Sequence, residues 1–116
     1  MKMKMIMALI KDDITQTIIE AAREAGATGA TVITSAQGEG LKPEKTFFGL
    51  DLATQRDIVI FLVAEPKARE ILETIAEAGK FDEDPGAGIA CQISLEDTVG
   101  LTSQLPTLIH EVEGEL

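Results

Sequence analysis

Two nine-residue stretches constrain this chain more than anything else in it. Ile18-Ile19-Glu20-Ala21-Ala22-Arg23-Glu24-Ala25-Gly26 and Ile71-Leu72-Glu73-Thr74-Ile75-Ala76-Glu77-Ala78-Gly79 match in apolar pattern at seven of nine positions and close on the same Glu-Ala-Gly. Each sets its apolar residues at helical spacing and ends on glycine, which most readily takes the left-handed turn that stops a helix. Each is flanked by β-rich runs. A chain of 116 residues builds one core, so two βαβ units must share it.

The flanking runs supply the rest of the order. Met3 to Ile10 alternates Met and Lys, then turns wholly apolar, as a strand does on passing from a sheet edge into the interior. Asp13 is placed to cap a helix over about Asp13 to Ala25, with Gln16 three residues on in a variant of the capping box. Its stripe is Ile14, Ile18, Ala21, Ala22 and Ala25. Thr31 to Thr34 is a second strand, and Asp57 to Val63 a third, apolar on both faces. Glu65-Pro66 opens the second helix with proline in the first turn. Ala68, Ile71, Leu72, Ile75 and Ala78 are its stripe, and Gly79 ends it. Ile89 to Ile93 is a fourth strand. Ser94-Leu95-Glu96-Asp97 starts one helical turn, and Leu101 to Leu116 is an acidic tail with a short strand around Leu108 to Val112. The expected fold is α+β: a ferredoxin-like βαββαβ with a four-stranded antiparallel sheet and both helices on one face.

That fold leaves one sheet face bare. Val59, Phe61 and Val63 alternate with Ile58, Ile60 and Leu62, so the third strand is apolar toward the helices and away from them. No residues remain for a further layer. Other copies of the chain are the economical cover, which predicts a homo-oligomer with clefts between subunits.

Charge and composition exclude several functions. Twenty acidic against ten basic residues give a net charge of −10, which argues against nucleic acid. Cys91 is the only cysteine, so no internal disulfide forms and the reducing cytoplasm is the expected location. No apolar run reaches the roughly 18 residues that membrane insertion needs. An enzyme needs a nucleophile, a base or a metal cage. His110, the single histidine, lies in the acidic tail and reads as an ordinary surface or interface residue. Cys91, between Ile89 and Ile93 on a strand, reads as a buried, inert thiol. Asp82, Glu83 and Asp84 are consecutive and do not converge as a dedicated metal loop does, so they read as solvated acids. No catalytic residue and no metal site is expected.

Two glycine-rich segments remain. Gly79-Lys80-Phe81-Asp82-Glu83-Asp84-Pro85-Gly86-Ala87-Gly88 joins a helix to a strand through three glycines, which lets bare backbone come close to something else. Gln37 to Thr54 is a long loop with Gly38-Glu39-Gly40 near its start and Phe47-Phe48, half of the chain's aromatics, in its middle. The two phenylalanines either anchor the loop to its own core or contact a partner.

These residues resemble the P-II signal-transduction proteins, trimeric ferredoxin-like regulators of nitrogen and carbon metabolism. Gly26-Ala27-Thr28-Gly29-Ala30-Thr31-Val32 is similar to the family's Gly-x-x-Gly-Met-Thr-Val, and Gly38-Glu39-Gly40 to the Gly-x-Gly that opens its T-loop. Gly79-Lys80-Phe81 and Gly86-Ala87-Gly88 resemble the Gly-Lys-Ile and Gly-Asp-Gly of its B-loop. The resemblance implies a P-II-like domain over 1–103, a T-loop at about 37–54 and an appended acidic tail over 104–116. It implies a homotrimer that binds an adenine nucleotide (AMP, ADP or ATP, with or without Mg) between subunits. The implied site comprises Gly29, Ala30, Thr31, Gly38, Glu39, Gly40, Val63, Gly79, Lys80, Gly86, Ala87 and Gly88. Lys42, Lys45, Phe47 and Phe48 would meet a target protein such as a membrane transporter or a metabolic enzyme.

The departures from the family are equally specific. Its phosphate-binding lysine falls on Ile89, and its two arginines fall on Gly100 and Thr102. Asp82-Glu83-Asp84-Pro85 is an insertion of three carboxylates where those cations would have held a triphosphate, and phosphate oxygens want Arg, Lys or a metal. Weak or altered nucleotide binding is therefore expected. With no tyrosine in the chain, control by tyrosine uridylylation is impossible. The alternative on the same fold is a ligand-free trimeric adaptor or a CutA-like metal-binding module.

Overall fold

The computed structural model describes residues 2–36, 46, 47, 50, 51, 55–84, 86–101, 106 and 109. Its elements run β1 (Met3–Lys11), a 3-10 turn (Asp12–Ile14), α1 (Thr15–Glu24), β2 (Thr31–Ala36), β3 (Thr46–Phe47), β4 (Leu50–Asp51), β5 (Arg56–Ala64), α2 (Glu65–Ala78) and β6 (Gly88–Ser94). The main sheet has the order β2-β5-β1-β6 and every neighbouring pair is antiparallel. The expected ferredoxin-like βαββαβ order is present.

Alternation along the strands places the core. Ile6, Ala8 and Ile10 of β1 and Val59, Phe61 and Val63 of β5 are buried with Ile18 and Ala22 of α1 and Ile71 and Ile75 of α2 in one cluster. Both helices therefore lie on the same face of the sheet. The repeat carries this packing, since Ile18 corresponds to Ile71 and Ala22 to Ile75. Proline at the first turn of α2 fits its fixed φ, as the sequence predicts.

The two helix ends differ although their sequences agree. After α1, Gly26 takes φ +118, while the Gly26 and Ala27 amides donate to the Arg23 and Ala22 carbonyls at 3.1 and 2.9 Å. That is the double hydrogen bond of a Schellman motif. After α2 the same motif falls one residue later. Lys80 takes the left-handed conformation at φ +55, and Lys80 and Phe81 donate to Glu77 and Ala76, both at 3.1 Å. Gly79 is thus the last helical-conformation residue rather than the left-handed one, with φ −87. Packing, not backbone conformation, selects glycine there.

Other expectations need correction. Asp13 does not cap a helix: it lies in the 3-10 turn, and α1 starts at Thr15 without a side-chain cap. The Thr15 hydroxyl instead donates to Asp57 of β5. The helical turn expected at Ser94–Asp97 is absent, because Ser94 still belongs to β6 and the Leu95 amide donates to the Met3 carbonyl at 3.3 Å, continuing the sheet. Most of the strand expected around 108–112 lies outside the described residues, and Ile109 itself has helical backbone. His110 lies outside them too. The loop expected from Gln37 to Thr54 contains regular structure, since Thr46 pairs with Asp51 and Phe47 with Leu50.

The face away from the helices is apolar from edge to edge. Directly opposed residues form the rows Ile33-Ile58-Leu9-Ile89, Thr31-Ile60-Met7-Cys91 and Leu62-Met5-Ile93. None of the described helices α1 and α2 covers them, and Ile33, Leu62, Ile89 and Ile93 are exposed, Ile33 at 48%. Cys91 is exposed in the middle row, not buried as its apolar neighbours suggest. Apolar neighbours on a strand identify a shared face, but they do not say whether anything covers it.

Candidate functional site

The expected site residues fall in two groups at opposite edges of the sheet. Gly29, Ala30 and Thr31 lead into edge strand β2 and line a cleft of about 320 Å³ with Thr28, Ile60 and Leu62 on the bare face. A Cβ at Gly29 would meet nothing within 4 Å, so the backbone here borders open space. Gly79, Lys80, Gly86 and Ala87 lie between α2 and β6, and Gly88 opens β6, the other edge. Within one chain the whole sheet separates the groups. Val63 lies on β5 with a side chain only 2% exposed, packed under the helices, so it offers a ligand at most its backbone. Gly38, Glu39, Gly40, Lys42, Lys45 and Phe48 lie outside the described residues. Phe47 is described only as backbone in β3.

The glycine loop is filled by its own side chain. A Cβ on Gly79 would run into Phe81 Cε1 and stand 3.0 Å from Ile18 Cδ1, and one on Gly88 would stand 2.6 Å from the same Phe81 atom and 2.9 Å from Ile10 Cγ2. Real Cβ atoms do not approach that closely. Bare backbone at Gly79 and Gly88 thus makes a notch for the Phe81 ring, which packs on the core through it. At these two positions the missing Cβ makes room for the protein's own ring.

Loop amides are also committed internally. Glu83 and Asp84 donate to the Lys80 carbonyl at 3.2 and 2.9 Å, and Ala87 donates to Asp84 at 3.0 Å. Ala87 is buried, and its carbonyl receives the Lys11 amide at 3.4 Å. Gly86, at φ +79, keeps the left-handed geometry that glycine tolerates. Beside this loop lies a second cleft of about 560 Å³, lined by Arg69 and Lys80, by Glu73, Glu77, Asp82 and Glu83, and by apolar residues that include Leu72 and Ala90.

One residue that sequence reasoning missed ties these parts together. Arg56, 3% exposed, donates from Nη1 to the Gly86 carbonyl at 3.2 Å. It is the first residue of β5, and its neighbour Asp57, also buried, accepts the Thr15 hydroxyl. The available signal was a charged Arg-Asp pair directly before an apolar strand.

A sequence profile of the family named nitrogen regulatory protein P-II matches residues 3–104. The chain belongs to the P-II family. P-II proteins are regulators rather than enzymes, in keeping with the sequence expectation. The P-II fold is also found among solved structures. A PII-like signaling protein of Thermus thermophilus is similar at 22% identity and TM-score 0.60, over 81% of this chain and 87% of that one. CPII of Thiomonas intermedia, in a structure bound to ADP, AMP and acetate, is similar at 17% identity and TM-score 0.61, over 83% and 90%. No curated protein matches. Against the P-II pattern, Ile89 stands where the family's lysine falls, and its side chain lies on the bare sheet face. Gly100 is described, with φ +91, and Thr102 is not. Among the described residues no three His, Cys, Asp or Glu side chains gather to hold a metal, and no helix is long and apolar enough to cross a membrane.

Proposed function

We propose that this P-II protein works in the cytoplasm as a homotrimer that senses an adenine nucleotide in clefts between subunits and controls a target protein through residues 37–54. The separation of the candidate site carries this reading. Thr28–Thr31 lead into edge strand β2 and Gly88 opens the opposite edge strand β6, an arrangement that suits a ligand held where two chains meet. The bare apolar face gives the chains a reason to meet, because ten of its eleven row residues are apolar.

The ligand class rests on the family and on the adenine nucleotides held by CPII. With Ile89, Gly100 and Thr102 at the cationic positions and Asp82, Glu83 and Asp84 beside the loop, each added phosphate gains little. Affinity should then change only slightly from AMP to ADP to ATP, and Mg should help ATP most. Control requires that the ligand bind one state of the 37–54 segment more tightly than another. A membrane transporter or a metabolic enzyme is the kind of target proposed, with Lys42, Lys45, Phe47 and Phe48 as its contacts.

One observation favours a second reading, a ligand-free trimeric adaptor: Phe81 and internal hydrogen bonds already occupy much of the glycine loop. Calorimetry with AMP, ADP and ATP, each with and without Mg, separates the two. Saturable binding supports the nucleotide sensor, and no heat with any of them at millimolar concentration supports the adaptor.

A further inference from the structure

We infer that Met5, Met7 and Cys91 form a binding site for a soft monovalent metal ion, Cu(I), on the sheet face away from the helices. The register brings the three together. Met7 of β1 is the Cα partner of Cys91 of β6, and Met5, paired with Ile93, stands diagonally from Cys91. Side chains alternate along a strand, so all three project from one face. Burial agrees with that placement: Met5 and Met7 are half-buried and Cys91 is exposed, whereas Ile6 and Ala8 are buried under the helices. Directly opposed side chains start about 4.5–5.5 Å apart and diagonal ones about 7–8 Å, a span that the three rotatable bonds of methionine can close.

The donor set selects the ion. One thiol and two thioethers are soft ligands, which favour Cu(I) over ions such as Mg or Ca that prefer oxygen. Harder donors do not compete in the three rows of this face, where the one polar side chain besides the thiol is the Thr31 hydroxyl, on β2 and two strands away from Met7. Charge favours the same ion. Cys91 gives up its proton to solvent on binding, and the thiolate then cancels the single charge of Cu(I). A loaded site of zero net charge suits an apolar face, where a divalent ion on the same three sulfurs would leave an uncompensated charge. In the trimer proposed above this face turns toward sister copies, whose apolar side chains keep water from the thioethers. The site makes no use of the nucleotide cleft and stands or falls apart from it.

The test is anaerobic competition of the full chain against the coloured Cu(I) complex of bicinchoninate. Wild type should withdraw one Cu(I) per chain, and X-ray absorption of the loaded protein should show a first shell of three sulfurs. Cys91→Ser should weaken binding at least about a hundredfold, and Met7→Leu and Met5→Leu each at least about fivefold. Met3 continues the alternation but is only 4% exposed, so Met3→Leu serves as the control and should stay within about twofold of wild type. Leucine for methionine keeps volume and apolar character, so these variants retain the fold. Three results would overturn the inference: no Cu(I) withdrawn by the wild type, nitrogen or oxygen in the first shell, or methionine variants that bind as tightly as wild type and so reduce the site to a bare thiol. Calorimetry with AMP, ADP and ATP reads the nucleotide sensor separately, and neither result decides the other.

Discussion

Replacing Gly79 by alanine should destabilise the protein, but only while Phe81 is present. The backbone itself would accept alanine, since Gly79 has φ −87. Removing glycine's extra freedom in the unfolded chain would even stabilise by about 0.4–1 kcal/mol. The new Cβ, however, would collide with Phe81 Cε1 and stand 2.9 Å from Phe81 Cδ1 and 3.0 Å from Ile18 Cδ1. Overpacking of that kind typically costs about 1–3 kcal/mol, because a ring wedged between two strands of backbone has little room to turn. The net expectation for Gly79→Ala is a loss of about 0.5–2 kcal/mol. Phe81→Ala alone should cost about 1.5–3 kcal/mol, below the usual 3–5 for a fully buried ring because Phe81 is only half-buried. In the Phe81→Ala background the clash disappears, and Gly79→Ala should become neutral or stabilising by up to about 1 kcal/mol. The coupling energy is then about 1–3 kcal/mol, well above the roughly 0.5 kcal/mol within which independent changes add. Urea unfolding of the four proteins, at one fixed protomer concentration so that assembly does not shift the midpoints, measures it. Additive effects would refute the view that the notch at Gly79 exists to seat Phe81.

Three further outcomes follow from other parts of the structure. Ile60→Glu puts a carboxylate in the middle row of the bare face, where it contacts no helix. It should barely lower the stability of a monomer yet weaken assembly by more than about a hundredfold, which sedimentation across a dilution series would read. Ile89→Lys returns a cation to the position where the family has its lysine. Calorimetry should then show ATP and ADP affinities rising at least about fivefold while AMP changes less, and an equal rise for all three would contradict a phosphate contact. Lys80→Gly removes the left-handed strain at φ +55. It should raise the unfolding free energy by roughly 0.5–1 kcal/mol in a urea titration, and a loss of stability would show that the lysine side chain matters more than its backbone.

The fold was legible because its core residues recur in a pattern. The matched helices, with Ile18 answering Ile71 and Ala22 answering Ile75, fixed βαβ twice over, and alternation in Val59-Ile60-Phe61-Leu62-Val63 fixed the sheet's two faces. What was not legible depended on contacts between distant segments. That Gly79 and Gly88 seat a ring was not legible, because nothing local says that Phe81 folds back into both. Cys91 looks buried, because strand alternation cannot distinguish a covered face from a bare one. Arg56 went unnoticed, because its partner carbonyl is thirty residues away. The exact repeat of Glu-Ala-Gly even misled on detail, since the left-handed residue falls on Gly26 in one copy and on Lys80 in the other.

Whether copies of this chain cover the bare face is decided most directly by sedimentation velocity of the wild type at micromolar concentration. A single species at three times the 12.4 kDa chain mass is predicted. A stable species at the chain mass itself would leave Thr28–Thr31 and Gly86–Gly88 permanently on opposite edges, and no shared nucleotide site could form.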